Sequence, residues 1–163
     1  VYARMDRTGD IYRIRRTQLT FAESAGLNTL LDRFVSPVVV ATLSQMRVTT
    51  VDGETTLRIE YENGDDNIGQ RWFWDENAVT RDEFTDAYLS IIALQFDQTA
   101  PQEAAGTSLL ADVTFTLRDG STSTVRYEAC DAFYALVTTD GGGRFLVRLT
   151  DVENMLTVLK GEK

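Results

Sequence analysis

Trp72, Phe73 and Trp74 stand side by side in a chain of 163 residues that contains no histidine. In an extended segment Trp72 and Trp74 share one face and Phe73 takes the other. Two indoles on one face offer a flat apolar surface with N–H donors, the chemistry that stacks a sugar ring or a partner's aromatic side chain. Trp72 and Trp74 are therefore the candidate ligand-binding residues, and the competing reading is that large aromatics just ahead of a helix belong to the core. Asn63-Gly64-Asp65-Asp66-Asn67 gathers several oxygen ligands in a short stretch. It lacks the alternation and the terminal bidentate Glu of an EF-hand, and its residue types are those that turns use, so it reads as a solvated turn. Cys130, the single cysteine, follows no motif and stands beside Asp131. An acidic neighbour disfavours the thiolate, and one cysteine allows neither an intrachain disulfide nor a thiolate metal centre, so Cys130 reads as a small packing residue.

The missing histidine removes the commonest general base near neutral pH and the commonest transition-metal ligand. No nucleophile elbow or phosphate-cradling loop is present, and Gly141-Gly142-Gly143 joins strand to strand, with no helix N-terminus to hold a phosphate. The chain is rich in carboxylates, but a glycosidase-type acid/base pair is defined by separation in space rather than by composition. With 16 Lys and Arg against 25 Asp and Glu, the net charge is -9. That field opposes nucleic acid. Arg13, Arg15 and Arg16 alternate with Tyr12 and Ile14, as on the solvated face of an edge strand. No catalytic residue, cofactor, metal or nucleic-acid partner is expected. No apolar run approaches the roughly 20 residues of a membrane-spanning helix; the densest, Val38-Val39-Val40-Ala41, is of strand length.

The elements that hold these residues are duplicated. Residues 48–62 and 113–128 share a Thr-rich run, an Asp-Gly pair (Asp52-Gly53, Asp119-Gly120) and an Arg-containing close ending in Tyr-Glu. Asp-Gly between β-branched alternating runs predicts a tight β-hairpin with a primed turn. After the first hairpin come a short strand, 71–74, and Thr80-Arg81-Asp82-Glu83, a capping box that opens a helix with Phe84, Ala87, Tyr88, Ile91 and Ile92 on one face. After the second come strands around the triple-Gly turn, then Thr150-Asp151-Val152-Glu153, a second capping box, with Val152, Met155, Leu156 and Leu159 on one face and Gly161 placed to end the helix. The opening of the chain repeats the same phrase: Tyr2-Ala3, Gly9, Tyr12 to Thr17, and a Leu27, Leu30, Leu31, Phe34 stripe.

The expected fold is α+β, a mostly antiparallel β-sheet built from repeated hairpin-strand-helix units with the helices packed on it. The expected organisation is 1–34 as the C-terminal part of a truncated unit, 35–100 as a unit with its helix near 80–94, and 101–163 as a unit with its helix near 150–160, in one compact domain or two lobes. The stretch 96–108 reads as a linker. With Val1 in place of a methionine, the chain is expected to continue a longer protein upstream.

Asp119-Gly120, Val125-Arg126-Tyr127-Glu128, Phe133-Tyr134-Ala135, Gly142, Phe145-x-Val147 and Asp151-Val152, with Val1-Tyr2-Ala3 and Tyr12-x-Ile14 at the opening, resemble the bacterial family called domain of unknown function 4340. The resemblance implies an extracytoplasmic, lipoprotein-like or membrane-anchored domain, some of whose members are encoded beside transporter components, and it carries over no catalytic residue. The function expected is that of a non-enzymatic interaction or accessory domain of a membrane-associated assembly, with a protein partner in the cell envelope and an anchor outside this chain. The alternatives are a glycan- or peptide-binding module using exposed Trp, and a carboxylate-dependent hydrolase.

Overall fold

A computed structural model describes residues 2–4, 11–13, 33–36, 38–61 and 69–161. The oxygen-rich turn 63–67, the side chains of Arg13, Arg15 and Arg16, and the 27–31 part of the first apolar stripe lie outside the described residues. The chain divides into two units, Val1–Arg33 and Phe34–Lys163. In the first, β1 (Tyr2–Arg4) and β2 (Ile11–Arg13) pair antiparallel, Tyr2 opposite Arg13. The register Tyr134 opposite Arg148 recurs in the second unit.

The second unit is a nine-stranded antiparallel sheet, among the described residues, with two helices. In chain order its strands are β3 (Leu43–Thr49), β4 (Glu54–Tyr61), β5 (Gln70–Trp74), β6 (Asn77–Val79), β7 (Gln98–Thr99), β8 (Ser108–Leu117), β9 (Thr122–Ala129), β10 (Tyr134–Thr139) and β11 (Arg144–Arg148). In space they run β6-β5-β4-β3-β8-β9-β10-β11-β7. Two four-strand meanders therefore meet along the β3–β8 pair, with Met46 opposite Phe115, Arg47 opposite Thr114 and Val48 opposite Val113. Both Asp-Gly hairpins form, with looser turns than the expected primed ones. The first spans residues 50–53, Thr50 N donating to Gly53 O at 2.8 Å. The second is a three-residue loop in which Gly120 takes φ +83°, where a Cβ is disfavoured, and Asp119 accepts from the Ser121 amide and hydroxyl. The apolar run at 38–41 is no strand. Val40–Thr42 forms a 3-10 turn and Val39 is exposed, because β3 begins only at Leu43.

The helices are α1 (Arg81–Ile92) and α2 (Leu149–Leu159). Thr80 caps α1 through the expected box, its hydroxyl accepting from the Glu83 amide while the Glu83 carboxylate takes the Thr80 amide at 2.8 Å. The second box does not form. β11 runs straight into α2, with Arg148 at the N-cap and no side-chain cap, and Leu149 N donates to Phe133 O at 2.8 Å. Thr150 thus falls inside the first turn. The buried positions Phe84, Ala87 and Ile91 in α1 have the same spacing as Val152, Met155 and Leu159 in α2. All six lie in one apolar cluster with Met46, Val48, Leu57, Val113, Phe115, Tyr127 and Val137 from the strands. Gly161 closes α2 at φ +69° as foreseen, its N–H returning to Val158 O.

The segment expected to be a linker does more. Phe96 is buried against Phe145, ring centroids 4.6 Å apart, and β7 then lies along the outer side of β11. From there the chain crosses the reverse face of β11, β10 and β9 to enter β8. Arg144 donates to the backbone carbonyls of Pro101, Gln102 and Ala104, Gly106 passes so close to Glu128 that a Cβ would meet it at 2.5 Å, and Thr107 N reaches Ala129 O at 2.7 Å. Leu136 of β10 and Leu146 of β11 are buried yet outside the main cluster.

Tyr127 is fully buried, and among the described residues its hydroxyl has no hydrogen-bond partner. Burial drives its pKa up, and burial likewise pushes Tyr88 up to about 12. A raised phenol pKa contributes stability that is complete below the unfolded value, about 10, and is lost as pH rises through the folded value. Tyr127→Phe is expected to raise the unfolding free energy by about 1 kcal/mol at neutral pH, since a buried unpaired hydroxyl is removed. It should also flatten the fall in stability above about pH 10. Urea midpoints measured on both sides of that pH check the two effects.

Candidate functional site

β5 and β6 turn over at Asp75-Glu76, with Asp75 at φ 52°. Asp75 holds this turn onto β4: its amide donates to Thr56 O at 2.7 Å and its Oδ1 accepts from Thr56 N at 2.7 Å. The β10–β11 turn has the same clamp. Asp140 N donates to Thr124 O at 3.1 Å and Asp140 Oδ2 accepts from Thr124 N at 2.9 Å.

This anchoring sets Trp74 at the end of β5, beside Val79 of β6. The α1 residues Glu83, Asp86 and Leu89 and the α2 residue Val158, with Gly161, complete a groove of about 410 Å³. It has an apolar floor and an acidic rim. Leu89 and Val158 are 45% and 39% exposed and line the same groove, so their apolar surfaces lie together beside Trp74. A second hollow continues past Trp74 toward Asp52 and Asn77. Lys160 walls it, its Nζ 2.9 Å from Asp52 Oδ2, tying the end of α2 to the β3–β4 turn.

Trp72 and Trp74 do share one face, both half-buried against the core. The structure separates their roles. The Trp72 ring lies 4.8 Å from Phe84, tilted by 57°, and so belongs to the contact between β5 and α1. Trp74 alone lines the groove. Phe73, on the reverse face, carries the Arg58 guanidinium 4.3 Å above its ring, with Arg71 at 5.9 Å. Glu60 takes hydrogen bonds from both arginines, and the Arg58 bond foremost holds its carboxyl below the ordinary range. The Asp119 carboxyl is also lowered, by hydrogen bonds from the Ser121 hydroxyl and amide. No group of acidic and sulfur side chains among the described residues could hold a metal ion. Cys130 is half-buried in the turn ahead of β10.

Glu83, Asp86, Leu89, Val79 and Val158 were not candidates from sequence. One signal was there to be read: Leu89 and Val158 are large apolar residues off the buried stripes of their helices, where a solvated face carries polar side chains. No protein-family model, curated protein or solved structure matches the chain.

Proposed function

We propose that this chain is a non-enzymatic interaction domain whose working surface is the groove beside Trp74. The observation that carries the reading is the meeting of Leu89 and Val158, two exposed aliphatics from different helices, over a half-buried indole. Such surfaces mark contact sites. The likeness to the domain of unknown function 4340 family adds an extracytoplasmic location, a place in a membrane-associated, transporter-linked assembly and an anchor outside this chain.

The scaffold is read as two copies of one unit, β3 to α1 and β8 to α2, with the helices covering the core face of the sheet. Three features support this. The Asp75–Thr56 and Asp140–Thr124 clamps are alike atom for atom in kind. The buried positions of the helices correspond. Superposing Asp52-Gly53 on Asp119-Gly120 turns the Met46–Phe115 pair into the Val113–Val48 pair and leaves Arg47 facing Thr114, so the register at the junction maps onto itself. A second reading, a glycan- or peptide-binding module, is favoured for Trp74 alone, since Phe84 engages Trp72. The carboxylate-hydrolase alternative wants an acid with a raised pKa, whereas Glu60 and Asp119 are both lowered.

A photo-activatable benzophenone at Leu89, in cells making the whole protein, is expected to give one adduct that Trp74→Ala abolishes. The same group at Val51, 79% exposed in the β3–β4 turn, gives none. Equal labelling at both positions, or substrate turnover that is lost on changing one or two carboxylates, overturns the reading.

A further inference from the structure

We propose that the hollow on the Asp52 side of Trp74 is a binding site for a neutral saccharide. The proposal rests on the reading of Trp74 as a binding residue, and it gives a ligand to a surface separate from the Leu89–Val158 groove. Strand register builds the site. Leu57, Trp74 and Asn77 stand in one row across β4, β5 and β6, on the core face of the sheet, and Thr55 lies on the same face two residues before Leu57. The row passes from a buried leucine through a half-buried indole to an exposed amide. Thr55, Asn77 and the end of α2 at Lys160 surround this side of Trp74 and enclose about 630 Å³. Small-ligand sites hold roughly 300–1,000 Å³.

The hollow carries hydrogen-bonding groups that the fold does not use. Among the described residues the Trp74 N–H, the Thr55 hydroxyl and the Asn77 side-chain amide have no hydrogen-bond partner, and none of the three is sealed from solvent. Indole and amide N–H groups donate, the amide carbonyl accepts, and the hydroxyl does either. The charged groups of the lining are already engaged. Asp52 meets Lys160 at 2.9 Å, and Asp75 accepts from Thr56 N at 2.7 Å. Two carboxylates against one ammonium leave a surplus of one negative charge. A pyranose ring suits this set. Its C–H face stacks on an indole, its hydroxyls each donate and accept, and it brings no ion to compete with the Asp52–Lys160 pair. An anionic sugar would be repelled, by the lining and by a chain of net charge -9. Asp75 also clamps the β5–β6 turn to β4, so Trp74 and Asn77 are in place before a ligand arrives, which lowers the cost of binding.

The test is a glycan array carrying neutral oligosaccharides beside uronic-acid, sialylated and de-N-acetylated amino-sugar members, probed with the whole protein. Retention on neutral members is expected. Asn77→Ala should weaken it about tenfold, the loss of one good hydrogen-bonding group, and Trp74→Ala should abolish it. Asn77 is exposed, so its variant should keep the urea midpoint of the parent and report binding alone. Leu89→Ser, in the groove on the other side of the indole, should leave retention unchanged. No retention on any neutral member, stronger retention on the charged ones, or indifference to Asn77→Ala overturns the proposal. If the Leu89 adduct forms and no neutral glycan is retained, the saccharide proposal alone falls. If neutral glycans are retained and the adduct fails, the groove reading falls and this site stands; if both fail, Trp74 is no binding residue.

Discussion

Phe84→Ala is expected to lower the unfolding free energy by about 3–5 kcal/mol, the range for truncating a fully buried phenylalanine. Phe84 is 0% exposed and stands between the Trp72 ring at 4.8 Å and the Tyr88 ring at 6.4 Å, so one side chain joins β5 to two turns of α1. A domain of this size has a total stability of only about 5–15 kcal/mol. Losing several of these from one ring moves the urea midpoint by a large fraction of its value. Trp72 reports the event directly, because its nearest aromatic neighbour is the residue removed. A midpoint shift worth less than about 1 kcal/mol would mean that the contact between β5 and α1 is held by other residues.

Arg144→Ala is expected to cost about 2–3 kcal/mol, from a charged donor group that serves three carbonyls at once. The loss should be local. Arg144 reaches Pro101 O at 3.4 Å, Gln102 O at 3.2 Å and Ala104 O, and these bonds fasten the strap to β11. Hydrogen exchange should therefore accelerate at residues 98–107 and along β10 and β11, and stay unchanged in β3–β6. Arg144→Lys should rescue little, because a compact ammonium does not span carbonyls that a planar guanidinium fork bridges. Uniform acceleration across the sheet would show that the arginine stabilises the fold generally and fastens no strap.

Much of the sheet could be read from the sequence because hairpins announce themselves locally. Asp52-Gly53 and Asp119-Gly120 sit between alternating runs, and both hairpins form there. The helices were equally visible, since their apolar stripes are regular. The second capping box misled because Thr150 and Glu153 have the right types at the right spacing; the N-cap of α2 is instead Arg148, two residues earlier, where Leu149 N donates to Phe133 O in a neighbouring strand connection, and no short motif encodes that. The same reason hides the strap. Arg144 binds main-chain carbonyls, so nothing in the partners' side chains marks the contact. The Asp75 and Asp140 clamps also bind backbone, and only their common position after each third strand of a meander could have given them away. At the candidate site Trp74 was within reach of composition alone. Its division of labour with Trp72 was not, because it depends on which indole lies under Phe84.

The self-mapping register at Arg47 and Thr114 has a consequence for how this architecture can be assembled. A seam whose two sides are interchangeable is of the isologous kind, the type that joins identical subunits around a twofold axis. On the two-copy reading, one meander with its helix presents at that seam an edge able to receive another of its own sort about a twofold axis. A pair of shorter polypeptides, each encoding a single half, then has in this seam a ready route to the same eight strands, β6 through β11 in the sheet order, without any peptide bond between them.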